Sequence, residues 1–149
     1  MGGGAARAKT RMVVDCDPGH DDAVALLLAH AYADVLGITT VSGNAPLEHT
    51  THNALAVVQL LGASTPVHSG AARPLVGEPR HATHIHGENG LGGASLPALR
   101  SDVAGVDGAG FLIDVTRAYS DVWIVAIGPL TNVALALQRD AGLAERIAG

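Results

Sequence analysis

A single cysteine, Cys16, is all the chain has, so no intrachain disulfide can form and a reducing, cytoplasmic setting suits it. Aromatic residues are almost as scarce: one Trp, one Phe and two Tyr. A core must therefore be built from Ala, Val, Leu and Ile. Positive charge is thin, because 9 Lys and Arg stand against 14 Asp and Glu and leave a net charge of −5. No basic stripe is visible, which argues against nucleic acid as a partner. No apolar run approaches the length of a bilayer crossing, so a membrane partner is not expected. The opening residues Met1–Arg11 combine Gly, Ala and basic side chains without the apolar stretch of a secretory leader. Residues 1–10 read as a flexible tail. What remains is ample for one domain: 149 residues, 48% of them apolar.

What the chain does have is carboxylate in one place. Asp15-Cys16-Asp17-Pro18-Gly19-His20-Asp21-Asp22 carries four acids between the apolar run Met12-Val13-Val14 and the helical run Ala23–Ala29. That is a strand, a tight turn and a helix start. Pro18 fixes φ and Gly19 tolerates any φ, so the pair makes the turn. Asp21 and Asp22 open the helix, where carboxylates meet free N–H groups and the positive end of the dipole. Capping and exposed charge would account for two acids. Four packed at one strand end repel one another unless something positive joins them. Oxygen donors without a Cys or His ligand pattern favour a hard cation, Ca²⁺ or Mg²⁺, over Zn²⁺.

Taken in order, strands are expected at Arg11–Asp17, Val35–Ser42, Pro66–Ser69 and Val122–Ile127, the last a continuous apolar run read as fully buried, with Trp123 in its core. Helices are expected at Asp21–Ala33, Leu47–Leu61, Gly108–Tyr119 and Thr131–Arg139, with Gly62 closing the second and an amphipathic piece after Asp140. Gly70–Gly105 is rich in Gly and Pro and holds His81, His84 and His86; a loop this long in a compact domain is usually functional or partly disordered. The alternation predicts an α/β, Rossmann-like fold, a mostly parallel sheet with helices on both faces. In such sheets ligands bind beyond the carboxyl ends of the strands. Asp15 and Asp17, Asn44, Ser69-Gly70, and Gly128 with Asn132 all fall at those ends. A cation there could orient a sugar diol and a water and lower the water's pKa, with a neighbouring carboxylate taking the proton.

Other polar residues have plainer readings. His20 is an exposed turn residue without a role, His81 and His84 are polar loop residues, and His49 and His52 lie on the solvent face of the second helix. Thr131 and Asn132 read first as a helix N-cap. Cys16 reads as a small core residue and not a nucleophile.

Four blocks together resemble the inosine–uridine-preferring nucleoside hydrolases. They are Asp15–Ala23, then Ile38-Thr39-Thr40-Val41-Ser42-Gly43-Asn44, then His86-Gly87-Glu88-Asn89-Gly90-Leu91-Gly92, then Gly128-Pro129-Leu130-Thr131-Asn132. They stand in that family's order over nearly the whole chain after the tail. The resemblance implies hydrolysis of the N-glycosidic bond of ribonucleosides to ribose and free base, in nucleoside catabolism and salvage, with a bound Ca²⁺. It implies that Asp17 is general base and metal ligand, and that Asp15, Asp22 and the Ile127 carbonyl are further metal ligands. Asp21 and Asn44 become ribose contacts and His86 an active-site histidine at the ribose or leaving base. The transition state would be oxocarbenium-like. Members run to roughly twice this length, often as homo-oligomers, and carry a Glu-Phe-Asn block and a late His-Asp pair that this sequence lacks. Residues 11–149 thus match the N-terminal part of such a domain. Two other readings remain. A haloacid-dehalogenase-type Mg²⁺ phosphatase also places Asp-x-Asp after its first strand, but it needs Ser or Thr where this chain has Pro18-Gly19-His20. The other is a non-catalytic remnant that binds metal.

Overall fold

The computed structural model describes residues 8–149. Most of the tail expected at residues 1–10 therefore lies outside the described residues. Four strands, β1 (Arg11–Cys16), β2 (Asp34–Thr40), β3 (Val67–Ser69) and β4 (Val122–Ala126), form one parallel sheet in the order β3-β2-β1-β4. The connecting helices are α1 (His20–Tyr32), α2 (Leu47–Leu60), α3 (Thr83–His86), α4 (Gly108–Ala118), α5 (Thr131–Arg139) and α6 (Leu143–Arg146). The α/β, Rossmann-like expectation holds. The chain winds outward from β1 through β2 to β3, then returns to place β4 on the other side of β1. Strand order reverses at that point, which is where open α/β sheets bind their ligands, beyond the strand ends.

Alternation along the strands sets the two layers. Val14, Cys16 and Ile38 pack with Leu26 of α1 and with Ala54, Val57 and Val58 of α2. Val13 packs on the opposite face with Leu112 and Val115 of α4, Ala136 of α5 and Leu143 of α6. Helix α2 ends as its sequence suggests: Gly62 has φ 63°, its N–H donates to Gln59 O, and the Ala63 N–H reaches back to Val58 O. Among the described residues no helix is long and apolar enough to cross a membrane.

One strand expectation needs correcting. Val122–Ile127 is not fully buried, and Trp123 is 46% exposed and not core. β4 pairs with β1 on one side only. Its other edge meets just the chain's last residues, where the Ala148 N–H donates to Val122 O (2.8 Å) and the Ile124 N–H to Gly149 O (2.9 Å). Val122 is still fully buried and Ile124 packs against the α4/α5 core, whereas Trp123 and Ile127 are left exposed.

The long segment after β3 is irregular, as its Gly and Pro content predicts, apart from the single turn α3. It is nonetheless pinned. Ser69 N–H donates to Gly105 O and Ala104 N–H to Val67 O, so the segment returns alongside β3. Midway, Ala82 N–H donates to Asn44 O (3.1 Å), and the His81 ring bonds Gly43 O (3.1 Å). His81 is therefore not a free polar loop residue: it ties α3 to the turn after β2.

Candidate active site

Asp15, the last but one residue of β1, lies on the α4/α5 face, paired with Thr39 of β2 and Ala126 of β4. Its side chain is fully buried. The Thr39 hydroxyl donates to Asp15 Oδ1 (2.5 Å), and Asn132 Nδ2 donates to the same oxygen (2.8 Å). Asn132, also fully buried, gives its second amide hydrogen to Thr40 O (2.9 Å) and accepts from Ala71 N–H (2.8 Å). One amide thus joins the ends of β1 and β2 to the residue after Gly70. The reading of Thr131 and Asn132 as a helix cap is corrected: the cap position is Leu130, without a side-chain cap bond. Asn132 instead points its amide into the sheet, because a buried carboxylate needs donors.

Asp17 stands just past β1 in the turn to α1. Asn44 clamps it: the backbone N–H donates to Asp17 Oδ2 (2.6 Å), and Nδ2 reaches Asp17 O (3.1 Å) and Asp22 Oδ2 (3.3 Å). The Gly19 N–H also donates to Asp22 Oδ2 (3.3 Å), so Asp22 satisfies a free group at the start of α1. Asp17 fits only because Gly43 and Gly128 lack side chains; a Cβ at Gly128 would stand 2.6 Å from Asp17 Oδ1. Ile127 N–H donates to Asp15 O (2.9 Å), which brings the backbone after β4 to the same place. Asp21 is exposed beside them.

Burial, more than any neighbour, raises all three inner carboxyls above the usual aspartate value. Asp17 is pushed up to about 6, against the Asn44 N–H that lowers it and with the charges of Asp22 and Asp21 that raise it further. Asp15 rises despite Asn132 and Thr39, and Asp22 despite Gly19. Cys16, buried among them, has its thiol pushed well up by burial and then by the three carboxylates, so it is a neutral thiol and no nucleophile.

Two oxygens of this cluster, Asp15 Oδ2 and Asp22 Oδ1, are buried and lack any hydrogen-bond partner. Orphaned anionic oxygens are costly, and a hard cation is what would satisfy them. The donor chemistry, all oxygen, fits such an ion. The arrangement is not a closed cage, since among the described residues no three acidic, His or Cys side chains gather around one point.

The third block reaches the cluster through α3. Asn53, buried on α2, donates from Nδ2 to Pro18 O (3.0 Å) and to Asn89 O (2.7 Å), which fastens the Asp turn to the Gly-rich loop. His86 is half-buried and lies over Gly19, on the same side as the Asn44 amide. Its Nδ1 is 3.3 Å from Nδ1 of His20.

A family model for the inosine-uridine preferring nucleoside hydrolases matches residues 12–149. The chain belongs to that family. An uncharacterised protein of Schizosaccharomyces pombe is 49% identical over 138 residues, which cover 90% of this chain and 42% of that protein. The pyrimidine-specific ribonucleoside hydrolase RihB of Escherichia coli is 37% identical over 142 residues, 93% of this chain and 45% of RihB. The purine-preferring ribonucleoside hydrolase from Gardnerella vaginalis superposes with a TM-score of 0.87 at 29% identity, over 92% of this chain and 46% of that one. The chain thus spans less than half the length of these relatives.

For this nucleoside hydrolase chain, sequence reasoning named the acids, Asn44 and His86, and the structure sets Asn44 against Asp17 and Asp22 and His86 over Gly19. It missed Thr39, Asn53 and the true place of Asn132, and it gave His20 no role. Nothing in a lone Asn or Thr signals a partner across the sheet; the only available hint was that Thr39 and Asn132 fall within two of the four blocks, and Asn53 falls in none.

Proposed function

We propose that this site hydrolyses the N-glycosidic bond of ribonucleosides, releasing ribose and free base. The observation that carries the reading is the two orphaned, buried carboxylate oxygens of Asp15 and Asp22, which flank an Asp17 clamped by Asn44 just past β1, where strand order reverses. The carboxylates of Asp15, Asp17 and Asp22 and the carbonyl of Ile127 would hold Ca²⁺. When bound, the cation would lower the pKa of a water and fix a sugar diol. Asp17, at about 6, is suited to take a proton from water near neutral pH. Its clamp by Asn44 holds it at one orientation, and Asn44 and Asp21 would contact ribose hydroxyls. His86, over Gly19 on the same side as the Asn44 amide, serves the ribose or leaving-base side. The negative cluster favours an oxocarbenium-like transition state. A reducing, cytoplasmic setting and homo-oligomers of a longer form belong to this reading. The same two orphaned oxygens favour a second reading, a non-catalytic site that binds metal without turnover.

Ribose release from uridine and inosine with Ca²⁺ tests the first reading, and a calorimetric Ca²⁺ titration of the same chain tests the second. Turnover is expected to vanish in Asp17→Ala and after EGTA. Undiminished ribose release under either condition would overturn the roles of Asp17 and the cation. Ca²⁺ binding without turnover would leave the second reading standing.

A further inference from the structure

We infer that His20 is a positioning residue for His86: its ring packs and hydrogen-bonds against the His86 ring, fixing where that imidazole stands and which nitrogen carries its proton. The inference rests on the reading of His86 as an active-site group. The two residues are 66 positions apart, yet their Nδ1 atoms lie 3.3 Å from each other and their ring centroids 5.5 Å, with planes 29° apart. Room for the pair is made from both sides. A Cβ at Gly19 would stand 2.7 Å from His86 Nδ1, and a Cβ at Gly92 would stand 2.9 Å from His20 Nε2. Each ring therefore lies over the glycine of the other's block. Gly92 N–H also donates to His86 O (2.7 Å), so the loop closes around the pair.

His86 needs such a clamp. It sits on α3, a helix of four residues, which has little stability of its own. The chemistry of the contact is restrictive. Two Nδ1 atoms can share a hydrogen bond only if one carries the hydrogen and the other is bare. A neutral ring with a bare Nδ1 carries its proton on Nε2. The pair therefore holds complementary tautomers: one ring protonated at Nδ1, the other at Nε2. That decides whether His86 offers its remaining nitrogen as a donor or as an acceptor. Without His20 the ring is free to turn over and to exchange between the two forms.

The test is the ring ¹⁵N spectrum of the labelled chain at a pH where both imidazoles are neutral. The wild-type chain is expected to show one ring as Nδ1–H and the other as Nε2–H. His20→Phe keeps the ring contact but has no nitrogen, and should give averaged His86 signals. His20→Asn, whose amide can donate or accept near the same place, should restore a single form. An unchanged His86 spectrum in His20→Phe, or two Nε2–H rings in the wild type, would overturn the assignment. His20 is exposed, so the amide spectra of the three chains should overlay. Ribose release gives a second readout: kcat should fall roughly three- to tenfold in His20→Phe with KM little changed, and recover in His20→Asn. Equal kcat in all three would also overturn it. Absence of turnover in the wild type would count against the hydrolase reading alone, and the tautomer pattern would still decide the role of His20.

Discussion

At the carboxyl end of β1, Asp15 and Asn132 are both fully buried; at the outer flank of β4, Trp123 is 46% exposed and Leu28 and Tyr32 of α1 are 60% and 76% exposed. Polar groups lie inside and apolar groups outside, the reverse of a simple hydropathy reading. The reason differs at each place. The buried carboxylate is tolerated because Thr39 and Asn132 donate to it. The apolar flank is exposed because hydrophobicity is only a tendency, and burial needs a surface on the other side. Here Met12, Leu28, Tyr32, Trp123 and Val125 line an open groove of about 610 Å³. The lesson is that a strand's composition predicts what it would bury, while its position in the sheet decides whether it does.

Three measurements would sharpen or break this contrast. The largest effect should come from Asn132→Leu, which removes two donors and an acceptor and leaves Asp15, Thr40 O and Ala71 N–H short of partners. Urea unfolding should show a loss of about 3 kcal/mol or more. A loss under about 1 kcal/mol would mean that the polar pole is not held by this amide.

A second effect is a dependence on pH without added cation. Asp15, Asp17 and Asp22 have folded values raised above the ordinary 3.8, with Asp17 at about 6. Between these values the folded chain binds more protons than the unfolded one, so stability rises as pH falls from about 6 toward about 4. Asp107 and Asp140 work the other way. Hydrogen bonds from Arg139 and Arg146, respectively, lower them, so their contribution is present above 3.8 and is lost as pH falls through their folded values. Metal-free stability should therefore peak in mildly acidic solution, and saturating Ca²⁺ at neutral pH should flatten the upper limb. Thermal unfolding midpoints that climb steadily from acid to neutral pH without cation would contradict the buried cluster.

The smallest effect should be Trp123→Ser. A fully buried Trp costs about 3 to 5 kcal/mol to truncate. At the open flank the loss should be about 1 kcal/mol or less in the same urea assay. A loss in the buried range would show that β4 is covered in solution.

Much of the fold was legible in residue order. Pro18-Gly19 marked the turn after β1, Gly62 marked the end of α2, and the strand boundaries fell within a residue or two of their expected places. The nearness of the acidic block to Asn44 was legible because turn residues at the carboxyl ends of strands lie together in a parallel sheet. The role of Asn132 was not legible, because an Asn beside a helix start looks like a cap until its distance to Asp15, 117 residues away, is known. Neither was Asn53, whose two acceptors, Pro18 O and Asn89 O, are backbone carbonyls and leave no trace in side-chain type.

By itself, then, the sequence determined the elements, their alternation and the carboxylates at the end of the first strand, since propensity, turn chemistry and charge are local properties. The order β3-β2-β1-β4 was decided by the tertiary structure. That order sets β4 against β1 with an open outer edge and carries α5 over Asp15. The return of the loop after β3 lays His86 against His20. These are contacts between residues far apart in the chain, and their free energy depends on distance in space, which no local pattern encodes.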